Sequence, residues 1–371
     1  MPDANPATAD IGRTAEPRWT RKVALLAFAT LLSLAVVEGL LRVAWNNPYR
    51  GEAPERYLLA RMQHAHVDQQ WRRDAIDARN PVVQFQTDDR GYILPSRRFE
   101  HPELTLAFLG GSTTECSAVR PDRRWPHVVS EQLEAAGLKV NALNAGRSGN
   151  TLHDALNNWI NHVSEDRPDV VVVMHVVNDA GLLAAAGDYR SRGYLANGLA
   201  IGARTALQDL SSVCSFAGLV RRVATTSAPA QATRGAMAQR EQLRIGDLSP
   251  YRQRLVAMVR SVRAFGAAPV LVTEPLATMR NSLTPDWANG PAQDALNQQV
   301  REVALAEGVT LVDLAAHVER EVPGFNVPNQ MFYDGMHVND HGGLIYGAHV
   351  AKTLLPWLRE LVDRKRAGAA R

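Results

Sequence analysis

The stretch FLGGSTTE, Phe108–Glu115, decides how this chain is read. An apolar run (Leu104, Leu106, Ala107, Phe108, Leu109) stops at two glycines, and Ser112, Thr113 and Thr114 come directly after. A buried strand ending on a double-glycine corner either makes a tight turn only, or holds the serine hydroxyl out beyond the edge of a sheet. Working outward, Val140–Leu143, Asp169–Val177 (DVVVVMHVV), Ala268–Thr273 and Val309–Leu314 read as further strands. Their Val, Ile and Leu runs lack polar alternation, the mark of strands covered on both faces. Helical spacing of apolar residues marks Pro121–Ala136, Leu152–Val163, Pro250–Phe265, Ala288–Glu307 and His341–Lys365. Alternating strands and helices of this length predict an α/β fold, a three-layer sandwich around a mostly parallel central sheet of about five strands.

In an open parallel sheet, functional groups gather beyond the carboxyl ends of the strands. The segments there are Gly110-Gly111-Ser112, then Asn144 to Asn150 (NAGRSGN), then Asn178-Asp179, and late in the chain a loop with Asp334 and His337. Together they supply a hydroxyl, an imidazole, a carboxylate, a glycine backbone donor and a side-chain amide, the parts needed for acyl transfer through serine. Each piece has a plainer explanation: Gly-Gly-Ser as a turn, Asp334-x-x-His337 as a surface turn, His175 as a hydrogen-bonded core histidine. Gly-Arg-Ser148-Gly does not fit Gly-x-Ser-x-Gly, which argues against a nucleophile elbow. His337, Asp340 and His341 lack the further ligand pattern a metal site needs.

The four segments, in this order, resemble the blocks of the SGNH (GDSL-type) hydrolase family over Leu104 to about Leu358. The resemblance implies a flavodoxin-like sandwich and an ester hydrolase. It implies Ser112 as nucleophile, His337 as general base and acid, and Asp334 as the group that orients His337. It also implies an oxyanion hole from the Ser112 and Gly149 N–H groups and the Asn178 amide, with no cofactor. Two positions depart from the family pattern. Gly111 stands where the first block usually has aspartate, and Val176 where the third usually has glycine. The Gly91-Tyr92 segment and the N-terminal apolar stretch resemble bacterial envelope members linked to polysaccharide modification. Three functions are expected on this basis: an esterase on an O-acyl (O-acetyl) ester of an extracytoplasmic glycan or lipid; an acyltransferase to a sugar hydroxyl; and a non-catalytic envelope binding component.

Composition limits the remainder. Of 371 residues, 46% are hydrophobic and 21% charged, and the net charge is +3. Basic residues are scattered, so nucleic acid is not an expected partner. Cys116 and Cys214 form no C-x-x-C motif; they either pair or stand as separate small residues. Val23–Val37 (VALLAFATLLSLAVV) is uncharged, and the apolar character runs on to Trp45 past Glu38 and Arg42, which can pair four apart on a helix. Trp19 and Trp45 flank it as interface anchors would. A cleaved signal peptide is the competing reading, but no small-x-small site lies just past the run. The expected organisation is a cytoplasmic tail over 1–22, an inner-membrane signal anchor over 23–45, a stalk and leading segment over 46–100, and the hydrolase domain, on the periplasmic side, over 101–365. Basic residues on the two sides of the span nearly balance, so the orientation rests on the habit of single N-terminal spans to export the chain beyond them. An insertion at about 180–248 is expected to be a lid, a docking surface or a lipid-facing element; within it Leu219–Val223 (LVRRV) has a basic amphipathic pattern, though a solvated helix is the commoner explanation.

Overall fold

A computed structural model describes residues 18–47, 61–189, 210–226, 245–276, 290–327 and 329–369. The polar tail 1–17, Tyr57-Leu58-Leu59, the insertion segments 190–209 and 227–244, and the expected helix start at Ala288 lie outside them. The chain divides into a smaller unit, 1–50 with 204–227, and a larger one made of the rest.

The first element, helix α1 (Arg18–Ala44), belongs to the smaller unit. Its Arg21–Ala44 stretch is long and apolar enough to cross a membrane, with mean hydropathy 2.2 and none of it buried. A membrane anchor or a signal sequence would both look this way. Arg42 Nε meets Glu38 Oε1 at 2.7 Å, the pair expected from their spacing.

In the larger unit β1 (Asp68–Arg72) and β2 (Val82–Gln86) pair antiparallel. This hairpin falls within the segment expected to be a stalk and leading segment. The main sheet comprises β3 (Leu104–Gly110), β4 (Val140–Asn144), β5 (Val170–Met174), β6 (Ala268–Val272) and β7 (Thr310–Val312), in the order β4-β3-β5-β6-β7. Every neighbouring pair is parallel. The helices are α2 (Ser112–Glu115), α3 (Trp125–Ala135), α4 (Leu152–Asn161), α5 (Val177–Ala186), α6 (Ser215–Thr226, in the smaller unit), α7 (Ser249–Ala264), α8 (Gly290–Glu307), α9 (Leu314–Glu321) and α10 (Asp340–Ala369).

Strand side chains alternate between two cores, as a pleated sheet requires. Leu106, Phe108 and Val172 join Trp125 of α3, Val318 of α9 and Leu354 of α10. Ala107, Leu109 and Val171 join Trp159 of α4, Leu255 of α7 and Leu296 of α8. The result is the three-layer α/β sandwich the sequence predicts. Two boundaries differ. The apolar run 169–177 is strand only to Met174, and a helix opens at Val177. Helix α9 comes directly after β7, started by Asp313, whose side chain accepts from Ala316 N.

Candidate active site

The sheet register levels the carboxyl ends of the strands. Phe108 lies opposite Asn144, Gly110 opposite Met174, and Val173 opposite Leu271. From β3 the chain crosses to β4 on one side and then to β5 on the other, the switch point at which open α/β sheets bind ligands. All four predicted segments meet there. Gly110 is glycine for space, since a Cβ would collide with the Thr114 side chain. Ser112 then opens the single turn α2.

His337 Nε2 lies 2.7 Å from Ser112 Oγ, and His337 Nδ1 lies 2.6 Å from Asp334 Oδ2. The other Asp334 oxygen accepts from the backbone N–H of His337 at 2.7 Å and of Met336 at 3.1 Å. Gly335, at φ 84°, supplies the left-handed residue that lets this tight loop close on itself. Burial works against the Asp334 charge, but the hydrogen bonds from His337 outweigh it and hold the carboxyl below its usual range. An ionised Asp334 fixes the proton on Nδ1, so that Nε2 can accept the Ser112 hydroxyl proton. The Tyr333 ring stacks on the imidazole, centroids 5.6 Å apart and planes 12° from parallel, which limits ring rotation.

The other predicted groups lie in the neighbouring loops. Gly149 turns at φ 76° in the loop after β4. Asn178 lies in the first turn of α5, and its Nδ2 donates to Asn150 O at 2.8 Å, leaving a second amide hydrogen. A Cβ on Gly111 would stand 2.5 Å from that same Nδ2. A side chain at position 111 would therefore have to displace the Asn178 amide.

Sequence reasoning missed the groups that hold these segments together. Glu274, just past β6, is fully buried. Its Oε1 accepts from Thr113 Oγ1 at 2.5 Å, and its Oε2 accepts from Val176 N at 2.9 Å and Val177 N at 2.8 Å. One carboxylate thus ties the serine turn to the start of the helix bearing Asn178, and explains why α5 begins where it does. Burial pushes this carboxyl up, against those hydrogen bonds. Glu115, also buried, takes both the backbone N–H and the hydroxyl of Ser148. Arg61 donates to Ser148 O and Gly149 O, both at 3.1 Å, and its own carbonyl accepts from Asn150 Nδ2. Arg61, within the stretch 46–100 expected as a stalk and leading segment, thus holds the loop that carries Gly149. An acid directly after a buried parallel strand, on the same edge as the other loops, was the available signal for Glu274.

Other candidates stand apart from the reacting atoms. Asp179 turns away to accept from Leu152 N and from Tyr189 OH, and burial pushes its carboxyl up to about 8. His175 is a buried core residue whose ring burial drives down to about 4. Asp340 forms a two-pronged pair with Arg73, at 2.6 and 3.0 Å. Cys116 and Cys214 are both free thiols.

A profile of the GDSL-like lipase/acylhydrolase family matches residues 108–343, well over half of the chain. No curated protein matches. Among solved structures, an acetylxylan esterase from Geobacillus stearothermophilus (Axe2) is similar at 18% identity and TM-score 0.43, covering 68% of this chain and 94% of its own. The lipase/acylhydrolase from Enterococcus faecalis is similar at 18% identity and TM-score 0.44, covering 68% and 96%. LAE5, an alpha/beta hydrolase enzyme from the metagenome of Lake Arreo, Spain, is similar at 17% identity and TM-score 0.45, covering 68% and 95%. With residues 108–343 matched and the block residues gathered at one sheet edge, this chain belongs to the GDSL-like lipase/acylhydrolase family and is an ester hydrolase.

Proposed function

We propose that the protein is a membrane-anchored serine esterase working through Ser112, His337 and Asp334 on an O-acyl, most simply O-acetyl, ester of an extracytoplasmic glycan or lipid. The observation that carries this reading is the unbroken hydrogen-bonded line from Ser112 Oγ through His337 to Asp334, at 2.7 and 2.6 Å. Ser112 Oγ attacks the acyl carbon while His337 Nε2 takes its proton, and Asp334 stabilises the resulting imidazolium. The oxyanion is received by the Ser112 and Gly149 N–H groups and the second Asn178 amide hydrogen. His337 passes the proton to the departing alcohol, then takes one from water as it attacks the acyl-enzyme, which frees the acid and restores Ser112. The bilayer is the partner of α1, in the inner membrane, with the catalytic unit on the periplasmic side.

The test is hydrolysis of p-nitrophenyl acetate by the full chain in detergent, beside Ser112→Ala and His337→Ala. Both substitutions are expected to abolish turnover without loss of fold. Full activity in either variant refutes the assignment.

A further inference from the structure

Within the smaller unit, the end of α1 and the start of α6 are bound by a polar clasp. Glu38 accepts from the backbone N–H groups of Ser215 and Phe216, both at 2.9 Å, and from Cys214 Sγ at 3.2 Å. Arg42 holds Glu38 through Nε and donates through Nη2 to Val213 O at 2.9 Å. Asn47, buried, donates to Ser211 O at 2.7 Å, and Gly218 backs onto it so closely that a Cβ would lie 2.5 Å from Asn47 Oδ1. A charged residue near the end of an apolar span is costly unless it has partners. Here the partners are the otherwise unsatisfied N–H groups at the start of α6. Removal of the N-terminus after Ala44 would strip α6 of Glu38 and Arg42, so the clasp is built for a helix that stays.

The other side of this segment has no such polar character. Phe216, Val220 and Val223 are 39–56% exposed, and their spacing by four and three puts them on one face of α6; Leu210 and Val213, 54% and 65% exposed, lie in the turn of chain just before it. Residues 210–226 contain no acid and two adjacent arginines, Arg221 and Arg222. Arg221 also donates to Ser211 Oγ at 3.1 Å, and Arg222 is exposed. The 12-residue α6 is about 18 Å long, well short of a bilayer core of about 30 Å. A short basic helix with one apolar stripe lies in the plane of the interface. Its start is tied to the end of α1, where the apolar run finishes and a bilayer surface would be.

We propose that α6 is a second membrane contact. It lies in the headgroup region of an anionic bilayer, with the Phe216, Val220 and Val223 stripe among the upper acyl chains and Arg221 and Arg222 toward lipid phosphates, locked to α1 through Glu38. This rests on the reading of α1 as a retained anchor.

The full chain is placed in vesicles of phosphatidylethanolamine and phosphatidylglycerol that carry a photoactivatable phospholipid, and adducts are mapped by peptide mass, together with the N-terminal residue. The expected result is an intact N-terminus with adducts on both α1 and 210–223. In a Phe216→Asp/Val220→Asp variant the α6 adducts are expected to vanish while those on α1 and ester hydrolysis stay. Adducts confined to α1 overturn the proposal and leave the anchor reading standing. An N-terminus beginning after Ala44 overturns the anchor reading itself, and this inference with it.

Discussion

Gly111 offers a sharp test, because its replacement should separate catalysis from stability. In Gly111→Ala the new Cβ would lie 2.5 Å from Asn178 Nδ2, and ordinary contact begins at 3.4 Å, so the amide must retreat by about 0.9 Å. The backbone at 111, with φ −85°, is not left-handed, so alanine adds no strain of that kind. The part that yields is the far end of a side chain. Its hydrogen bond to Asn150 O, 2.8 Å long, is stretched or lost, which costs about 1 kcal/mol and about 2–4 °C in melting temperature. Catalysis loses far more. Removing one oxyanion donor lowers kcat by about 10²–10³, or about 2.7–4 kcal/mol. Since the donor acts on the oxyanion rather than on the ground-state ester, KM should change little. Steady-state hydrolysis of p-nitrophenyl acetate with thermal unfolding by circular dichroism measures both. Should kcat stay within about threefold of the parent in a folded variant, well inside the 10²–10³ expected, Asn178 is not an oxyanion donor and the account of Gly111 is wrong.

Asp334→Asn should fold normally and lose about 10⁴ in kcat, because an amide no longer holds the proton on His337 Nδ1; a much smaller loss in the same assay would remove Asp334 from the triad. Glu274→Ala strands the Thr113 hydroxyl and two backbone N–H groups in the core, at about 1–3 kcal/mol each, whereas Glu274→Gln keeps an acceptor for both N–H groups and should cost much less; equal urea midpoints for the two variants would contradict the tie. His175, held near pKa 4 against 6.5 in the unfolded chain, stays neutral in the folded state while the unfolded chain takes up its proton. Stability from this group is therefore fully present above 6.5 and declines as pH falls toward 4, by about 3 kcal/mol in all. His175→Gln should flatten the urea midpoint against pH across that window, and an unchanged slope refutes the assignment.

Much of the fold was legible because β3, β5 and β6 are covered on both sides, so their sequences are continuous apolar runs that little else produces. The site was legible for a related reason: segments past the carboxyl ends of parallel strands share one edge, so Ser112 after β3, Gly149 after β4 and Asn178 after β5 could be placed together without knowing any contact, whereas His337 reaches that edge from the loop between α9 and α10. The parts that escaped depend on partners distant in sequence. The β1 strand, Asp68-Gln69-Gln70-Trp71-Arg72, is exposed along its whole length and carries no burial pattern to read. The end of β5 escaped because Val176 and Val177 are as apolar as the strand, and only the Glu274 carboxylate, 97 residues away, starts the helix there. Arg61 looks like any surface arginine until the Gly149 loop is seen to rest on it.

The distance along the chain between Ser112 and His337 has a consequence for synthesis. They are 225 residues apart, with the serine just past the first strand of the main sheet and the histidine just before α10. At about 5–20 residues per second, translation leaves the hydroxyl without its imidazole for roughly 10–45 s after Ser112 is made. A nascent or C-terminally truncated chain can carry the complete Gly110–Glu115 turn and still have no base to activate it. The reaction is thus assembled only after all five strands of the main sheet have been translated, long after α1 has been made.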